Sequence, residues 1–243
     1  SGVILLTGPA NSGKTTTIYA SIQKILESRR NCNIVTVEDP VEYIFENISQ
    51  TEINPNLSYS KALSSIMRQD PDVIVVGEIR DKETAQIVME AGLTGHLVLS
   101  TIHSGTASSV IVRLLHMGIE PFLLSSAITG IMAQRLVRKI CEFCKEEYYP
   151  EENIREKFGL KKSEKLYRGK GCKYCFEEGY KGRTVISELL LIDERIKKII
   201  LKKPSLSSLN SFLKGKYVKT LIEDGIEKVK NGITTFEEIE RVL

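Results

Sequence analysis

The stretch VILLTGPANSGKTTT, residues 3–17, limits the fold of this chain more than any other segment. Val3 to Leu6 is an apolar run with the character of a buried strand. Gly8 to Thr15 then fits G-x-x-x-x-G-K-[ST], and from Thr15 to Ser28 the residues Ile18, Ile22, Ile25 and Leu26 recur at helical spacing. Strand, glycine turn and helix in that order make a phosphate cradle. The glycines let backbone N–H groups turn inward, and the helix N-terminus adds its positive end. On this reading Gly8, Pro9, Ala10, Asn11, Ser12 and Gly13 form the turn. Lys14 reaches the β- and γ-phosphates, Thr15 the magnesium ion and Thr16 the α-phosphate. A glycine turn that only capped a helix would not require lysine and threonine at those places.

Up to about residue 138, short β-rich runs alternate with helical stretches: NIVTVEDP, DVIVVGE and HLVLSTIH follow the first strand. Near-continuous apolar strands separated by helices imply a parallel sheet covered on both faces. Sites in such sheets gather at the carboxyl ends of the strands. One end carries Glu38 and Asp39, stopped by Pro40; another carries Gly77 and Glu78. An aspartate that serves magnesium commonly stands where Gly77 is. The glycine leaves space, so metal contacts are expected to run through water to Glu38 or Asp39, and Glu78 becomes the group that orients or deprotonates an attacking water. His103 follows the fourth strand at the same inferred edge, where it can sense a γ-phosphate. His96 stands at that strand's opposite end, and His116 carries no signal.

Hydrophobic residues make up 42% and charged residues 27% of the 243, ordinary for a globular chain with room for one large domain and something smaller. A net charge of +3 is too small to argue for a nucleic-acid or membrane-surface partner. No apolar run approaches the ~20 residues that span a bilayer. The opening SGVILLTGPA is a strand rather than a leader, as expected of a fragment whose upstream part has been removed. Four of the five cysteines lie in two C-x-x-C pairs, Cys141/Cys144 and Cys172/Cys175, separated by 27 residues, which supplies four thiolates for a closed, structural zinc site. Cys32 reads as a small apolar residue. The segment between the pairs is Lys/Glu-rich and too polar to make a core unaided. From Gly182 onward the pattern reads as helical, in LLLIDERIKKIILKK and FEEIERVL, punctuated by Pro204, Gly215, Gly225 and Gly232. The expected division is a core over 1–138, a tetracysteine element over 139–181 and a helical subdomain over 182–243.

The ordered set GPANSGKTTT, VEDPVEY, MRQDPDVIVVGEIRD and TGHLVLSTIHSGTA, with MGIEPFLLSSAITGIMAQRLVRKIC, the cysteine pairs, GYKGRTVISELL and LIEDGIEKVKNGITTFEEIERVL, resembles the secretion ATPases of the type II secretion and type IV pilus assembly class. In that family the first four segments are the Walker A, Asp box, Walker B and His box. The resemblance covers essentially the whole chain. It implies a RecA-like P-loop core with ATP, magnesium and zinc as ligands. Gly77-Glu78 is then the family's usual pair, with Glu78, Glu38 and His103 as the catalytic set and Arg80 in the same motif as Glu78. Glu38 and Asp39 belong to the Asp box, His96 and His103 to the His box. The family implies a cytoplasmic hexameric motor, without a membrane span of its own, that hydrolyses ATP and drives a pilus or pseudopilus through an inner-membrane platform partner. The tetracysteine element goes with assembly and export motors rather than retraction motors.

Two places depart from the family: Ala10-Asn11 stands for the usual Thr-Gly, and Ser104-Gly105 for Thr-Asn. The family's N-terminal domains, which carry arginines that complete the site and much of the adenine contact, lie outside this sequence. Nucleotide binding with slow hydrolysis, by a monomeric or weakly associated chain, is the resulting expectation. A rival reading is a RecA-like nucleic-acid motor with a zinc ribbon, which needs a basic stripe interleaved with aromatics. Arg168, Lys170 and Lys173 near Tyr167 and Tyr174, with Lys161-Lys162, are the nearest candidates. A scaffold that only binds nucleotide has no need of Glu78.

Overall fold

Short runs of β-branched residues and leucine, cut off by glycine, proline and aspartate, become strands, and longer amphipathic runs become helices. A computed structural model describes residues 1–29, 31–214 and 218–243, so Gly215 lies outside the described residues. In chain order the elements are β1 (Gly2–Thr7), α1 (Lys14–Ser28), β2 (Ile34–Glu38), β3 (Ser49–Glu52), α2 (Tyr59–Ile66), β4 (Val73–Val76), α3 (Lys82–Leu93), β5 (Leu97–Ile102), α4 (Ala107–His116) and α5 (Pro121–Ala127). There follow β6 (Ile128–Ile140), β7 (Lys145–Tyr148), α6 (Glu152–Phe158), β8 (Leu166–Gly169), β9 (Tyr180–Leu191), α7 (Glu194–Ile200), α8 (Leu206–Leu213), α9 (Leu221–Lys230) and α10 (Phe236–Val242).

Residues 1–133 and 189–218 form one compact unit, and residues 134–188 and 219–243 a second. The sheet order is β3-β2-β4-β5-β1-β6-β9, with β1 to β5 wholly within the first unit and the pairings from β3 through to β6 all parallel. The period of two along each strand sorts side chains to opposite faces. Leu6, Ile34, Val73, Val75 and Leu99 pack with Ile18 and Ile22 of α1. Val3, Leu5, Val35, Val37, Ile74, Val76 and Val98 pack on the other side with α2 to α5, α7 and α8. Both faces are therefore dry, which is why these strands read as continuous apolar runs. Helix starts are fixed locally. Asp81 accepts the Thr84 N–H at 2.8 Å ahead of α3, and Thr106 and Ser109 close a reciprocal cap ahead of α4.

The compact units cut the chain differently from the boundaries expected from sequence. The segment 182–191 is strand, not helix. Ile186 and Leu190, its most buried positions, are four apart, and that spacing serves a helix turn and a strand face equally. Sheet pairing resolves the ambiguity. The helices that follow are shared out: Ile196, Ile200, Leu209 and Leu213 of α7 and α8 join the core of the first unit, whereas α9 and α10 belong to the second.

In the second unit β7 and β8 pair antiparallel, and Val137, Leu160, Leu166, Ile186, Leu221, Val229, Phe236 and Ile239 make its core. The Lys/Glu-rich segment thus contributes two leucines to a core built mainly by others. Glu238 is 1% exposed and accepts hydrogen bonds from the Arg138 guanidinium at 2.8 and 2.9 Å, the Arg138 N–H at 2.8 Å and Arg241 at 2.8 and 2.9 Å. Burial alone would raise its pKa, but the bonds from Arg241 and Arg138 outweigh that and hold it at about 2, against an ordinary 4.5. A depressed pKa stabilises the folded state above the ordinary value and ceases to do so as protons bind. The second unit is therefore expected to lose stability on acidification from about pH 4.5 toward 2, and Glu238→Gln to flatten that limb. Tyrosine circular dichroism across an acid titration measures both.

Candidate nucleotide site and tetracysteine centre

Because β2, β4, β5 and β1 are parallel neighbours, their carboxyl ends share one edge of the sheet. The phosphate loop leaves β1. Reading outward across the sheet, His103 follows β5, Gly77-Glu78 follows β4, and Glu38-Asp39 closes β2. In the loop, Gly8 and Gly13 have φ of 152° and 88°, which side chains avoid, and Asn11 stands at 59°. Such a turn directs successive N–H groups to its concave side. Helix α1 begins at Lys14 with no side-chain cap and no acidic residue in its first turn, so its positive end is offered to the loop. The Lys14 ammonium donates to the Gly8 and Pro9 carbonyls at 3.0 and 2.8 Å, which places the cation along the loop. Inward N–H groups, a helix start, a lysine and the Thr15 hydroxyl are the donor set a magnesium-bound phosphate chain requires.

Gly77 is the tightest point of this edge. Its N–H donates to Val37 O at 2.8 Å, its carbonyl accepts from the Thr101 hydroxyl at 2.7 Å, and Ile79 N–H reaches Thr101 O at 2.9 Å. A Cβ at position 77 would stand 2.8 Å from the Tyr59 hydroxyl oxygen and 3.3 Å from Val37 O. Tyr59 is 8% exposed and cannot swing away freely. An aspartate at this strand end would have to displace the Tyr59 hydroxyl, and the glycine that stands there offers a metal no carboxylate. Gly77→Ala is expected to cost on the order of 1–3 kcal/mol and Gly77→Asp more, as overpacking does. Adding Tyr59→Phe should recover part of the alanine loss, read as thermal midpoints of the two single variants and the double.

Glu78 is held at both oxygens. His103 Nε2 lies 3.2 Å from Oε1, and Arg80 Nε donates to Oε2 at 2.7 Å. The hydrogen bond to Glu78, first, and its charge keep the Arg80 guanidinium firmly protonated, and its Nη1 also donates to Asp39 Oδ2 at 3.3 Å. Each carboxylate oxygen has a second lone pair, so Glu78 can still accept from a water. Asp39 is a solvent-reaching acid, whereas Glu38 is 5% exposed. The Glu38 carboxylate is enclosed by Thr36, which donates at 2.5 Å, by Gln50 at 3.1 Å and by the Tyr19 hydroxyl. His96, at the amino end of β5, bonds Ala91 O at 3.0 Å and Thr94 at 3.2 Å, and the structure does not bring it to the other site residues. Sequence reasoning missed Tyr19, Thr36, Gln50, Tyr59 and Thr101. The alternation of Thr36 with Glu38 was a usable signal, since residues two apart in a strand share a face.

In the second unit the sulfurs of Cys141, Cys144, Cys172 and Cys175 all lie within 4.8 Å of one another. Cys141–Cys172, Cys144–Cys175 and Cys172–Cys175 are 3.9, 3.8 and 3.7 Å apart. Four thiolates about 2.3 Å from a central ion form a tetrahedron with edges of about 3.8 Å, so the cluster has the size of a metal cage. A disulfide needs about 2.05 Å. Backbone N–H groups of Cys172 and Gly179 point at Cys175 Sγ from 3.2 and 3.3 Å, which supports negative charge on sulfur.

A parallel α/β sheet with a phosphate loop at the tip of β1 and acids on the adjoining tips defines a P-loop nucleotide-binding protein. The family model described as type II/IV secretion system protein matches residues 1–241, and the chain belongs to that family. It is 48% identical over 245 residues to the type II secretion system ATPase E of Vibrio cholerae, covering 99% of this chain and 48% of that protein. It is 46% identical over 244 residues to the type IV pilus assembly ATPase PilB of Thermus thermophilus, covering 98% of this chain and 27% of that one. The chain therefore spans about half the length, or less, of these curated relatives. Among solved structures, the pilus retraction motor PilT with bound ADP aligns with a TM-score of 0.73 at 29% identity, over 100% of this chain and 61% of that one. The ATPase DotB of Legionella pneumophila aligns with a TM-score of 0.76 at 23% identity, over 99% and 59%, and shares the fold.

Proposed function

We propose that this chain is the catalytic part of a motor that hydrolyses magnesium-bound ATP to power a type II secretion or type IV pilus assembly machine. The observation that carries the reading is the shared sheet edge, with a phosphate loop on β1, His103 after β5, Glu78 after β4 and Asp39 after β2. The loop N–H groups and Lys14 bind the β- and γ-phosphates. Thr15 and Asp39 are the residues that would hold magnesium, and the ion, when bound, would neutralise charge on the phosphates. Glu78 takes the proton of the attacking water, while His103 and Arg80 fix its carboxylate plane. His103, on the same sheet edge, would sense the γ-phosphoryl group as it passes from ADP to water. The four cysteines hold one structural zinc. The names of the relatives support the machine class, and the whole protein works as a hexamer in the cytoplasm, coupled to an inner-membrane platform.

The nucleic-acid reading is less well supported, because Arg168 and Lys170 both pair with Glu146 at 2.9 Å and Lys165 with Glu147 at 2.7 Å. Two of the candidate cations, Arg168 and Lys170, are thus engaged by one acid within the unit. Phosphate release from magnesium-ATP should be measurable and slow for this chain. Lys14→Ala should remove it and weaken fluorescent-nucleotide binding at least tenfold. Unchanged binding in that variant would place the nucleotide elsewhere.

A further inference from the structure

A buried glutamate needs donors, and the strand alternation sends Glu38 to the α1 face, beside Ile34 and Thr36. There Tyr19 meets it from the helix that begins at Lys14. The Glu42 N–H donates to the Tyr19 oxygen at 3.1 Å, so the phenol's own proton goes to Glu38 Oε2. Burial first, and Glu38 next, push the phenol pKa up to about 12, so it remains a donor. The Tyr19 ring also stands edge-on to Phe45 at 5.4 Å and tilted to Tyr43 at 6.4 Å, and Gln50 joins the Tyr43 carbonyl at 3.0 Å to Glu38 at 3.1 Å. One side chain therefore ties the phosphate-loop helix to the tip of β2 and to the loop beyond it. Glu38, buried and holding three side-chain donors, has the surroundings of an anchor more than of a solvent-reaching metal ligand.

We infer that Tyr19 is a positioning residue: through Glu38 it fixes the tip of β2, so that Asp39 stands in register with Thr15 of α1 for a metal-bound phosphate chain. The inference rests on the nucleotide-site reading above and adds the group that sets its metal-handling acid. Tyr19→Phe keeps the ring and its packing but removes the hydrogen bond; Thr36→Val removes a second donor to the same carboxylate. The experiment measures the affinity of a fluorescent ADP analogue in EDTA and at saturating magnesium chloride, together with the thermal midpoint.

The expected result is an EDTA affinity within twofold of the parent chain for both variants, with the tightening caused by magnesium reduced about tenfold. Where ATP turnover is measured, kcat should fall about tenfold with the magnesium half-saturation raised. Full magnesium tightening in both variants overturns the inference, as does an equal loss of affinity with and without magnesium. If the parent shows no magnesium effect, the metal assignment falls and the inference with it. If the parent binds magnesium nucleotide but turns none over, the variants still decide the role of Tyr19, and only the motor reading is lost. Should Tyr19→Phe fail to fold, Thr36→Val alone decides.

Discussion

Glu78→Gln is expected to lower ATP turnover by ~10²–10⁴-fold, the range a positioned general base contributes, while nucleotide affinity stays within about threefold of the parent. Glutamine keeps the shape and can still accept from Arg80 Nε, which donates to Glu78 Oε2 at 2.7 Å. It cannot take a proton from water, and its amide faces His103, which stands 3.2 Å from Oε1, with altered hydrogen-bond character. Asp39→Asn provides the contrast. That side chain is 41% exposed and is assigned to the metal through water, so its loss should raise the magnesium requirement before it lowers the maximal rate. Single-turnover phosphate release at saturating magnesium separates the two. A Glu78→Gln chain that retains a third or more of the parental rate would remove Glu78 from the chemistry.

Removal of the proposed zinc should have the largest effect on structure. Metal analysis should find about one zinc per chain, and apparent free energies for such sites run to about 10–16 kcal/mol at neutral pH. That exceeds what a small core can replace, and of the segment between the cysteine pairs Leu160 and Leu166 are buried in the core of the second unit, with Tyr148, Ile154 and Phe158 partly buried against it. Cys141 and Cys175 are 0% and 3% exposed, so a strong chelator or Cys175→Ser should abolish the thermal transition of the second unit. Nucleotide binding by the first unit should survive. Cobalt substitution offers an independent readout, since tetrahedral thiolate coordination gives an intense visible spectrum. Metal content near zero after preparation without chelators, with the calorimetric transition intact, would make the cysteines ordinary thiols.

Much of this site was legible in the sequence because its parts are local. A phosphate loop is a turn closed within eight residues, from Gly8 to Thr15, and each C-x-x-C pair is a single knuckle. The apolar runs of β1, β2, β4 and β5 were readable because burial on both faces leaves continuous hydrophobic strands. β3 was not: Ser49, Gln50, Thr51 and Glu52 carry no apolar signal, and the strand exists because its backbone pairs with β2 at the sheet edge. β9 was misread because its buried residues fall four apart.

From the sequence alone came the phosphate loop, the parallel sheet, the acids at its strand ends and the four-cysteine set, because each follows from the chemistry of neighbouring residues. Tertiary structure decided the surroundings of each acid. Gly77 is a glycine because Tyr59, from another element, fills the space a side chain would need. Glu38 and Asp39 are adjacent in the chain and opposite in environment, one enclosed by Tyr19, Thr36 and Gln50, the other open to solvent. A strand's period of two turns neighbouring residues to opposite faces, and only packing determines what each face meets.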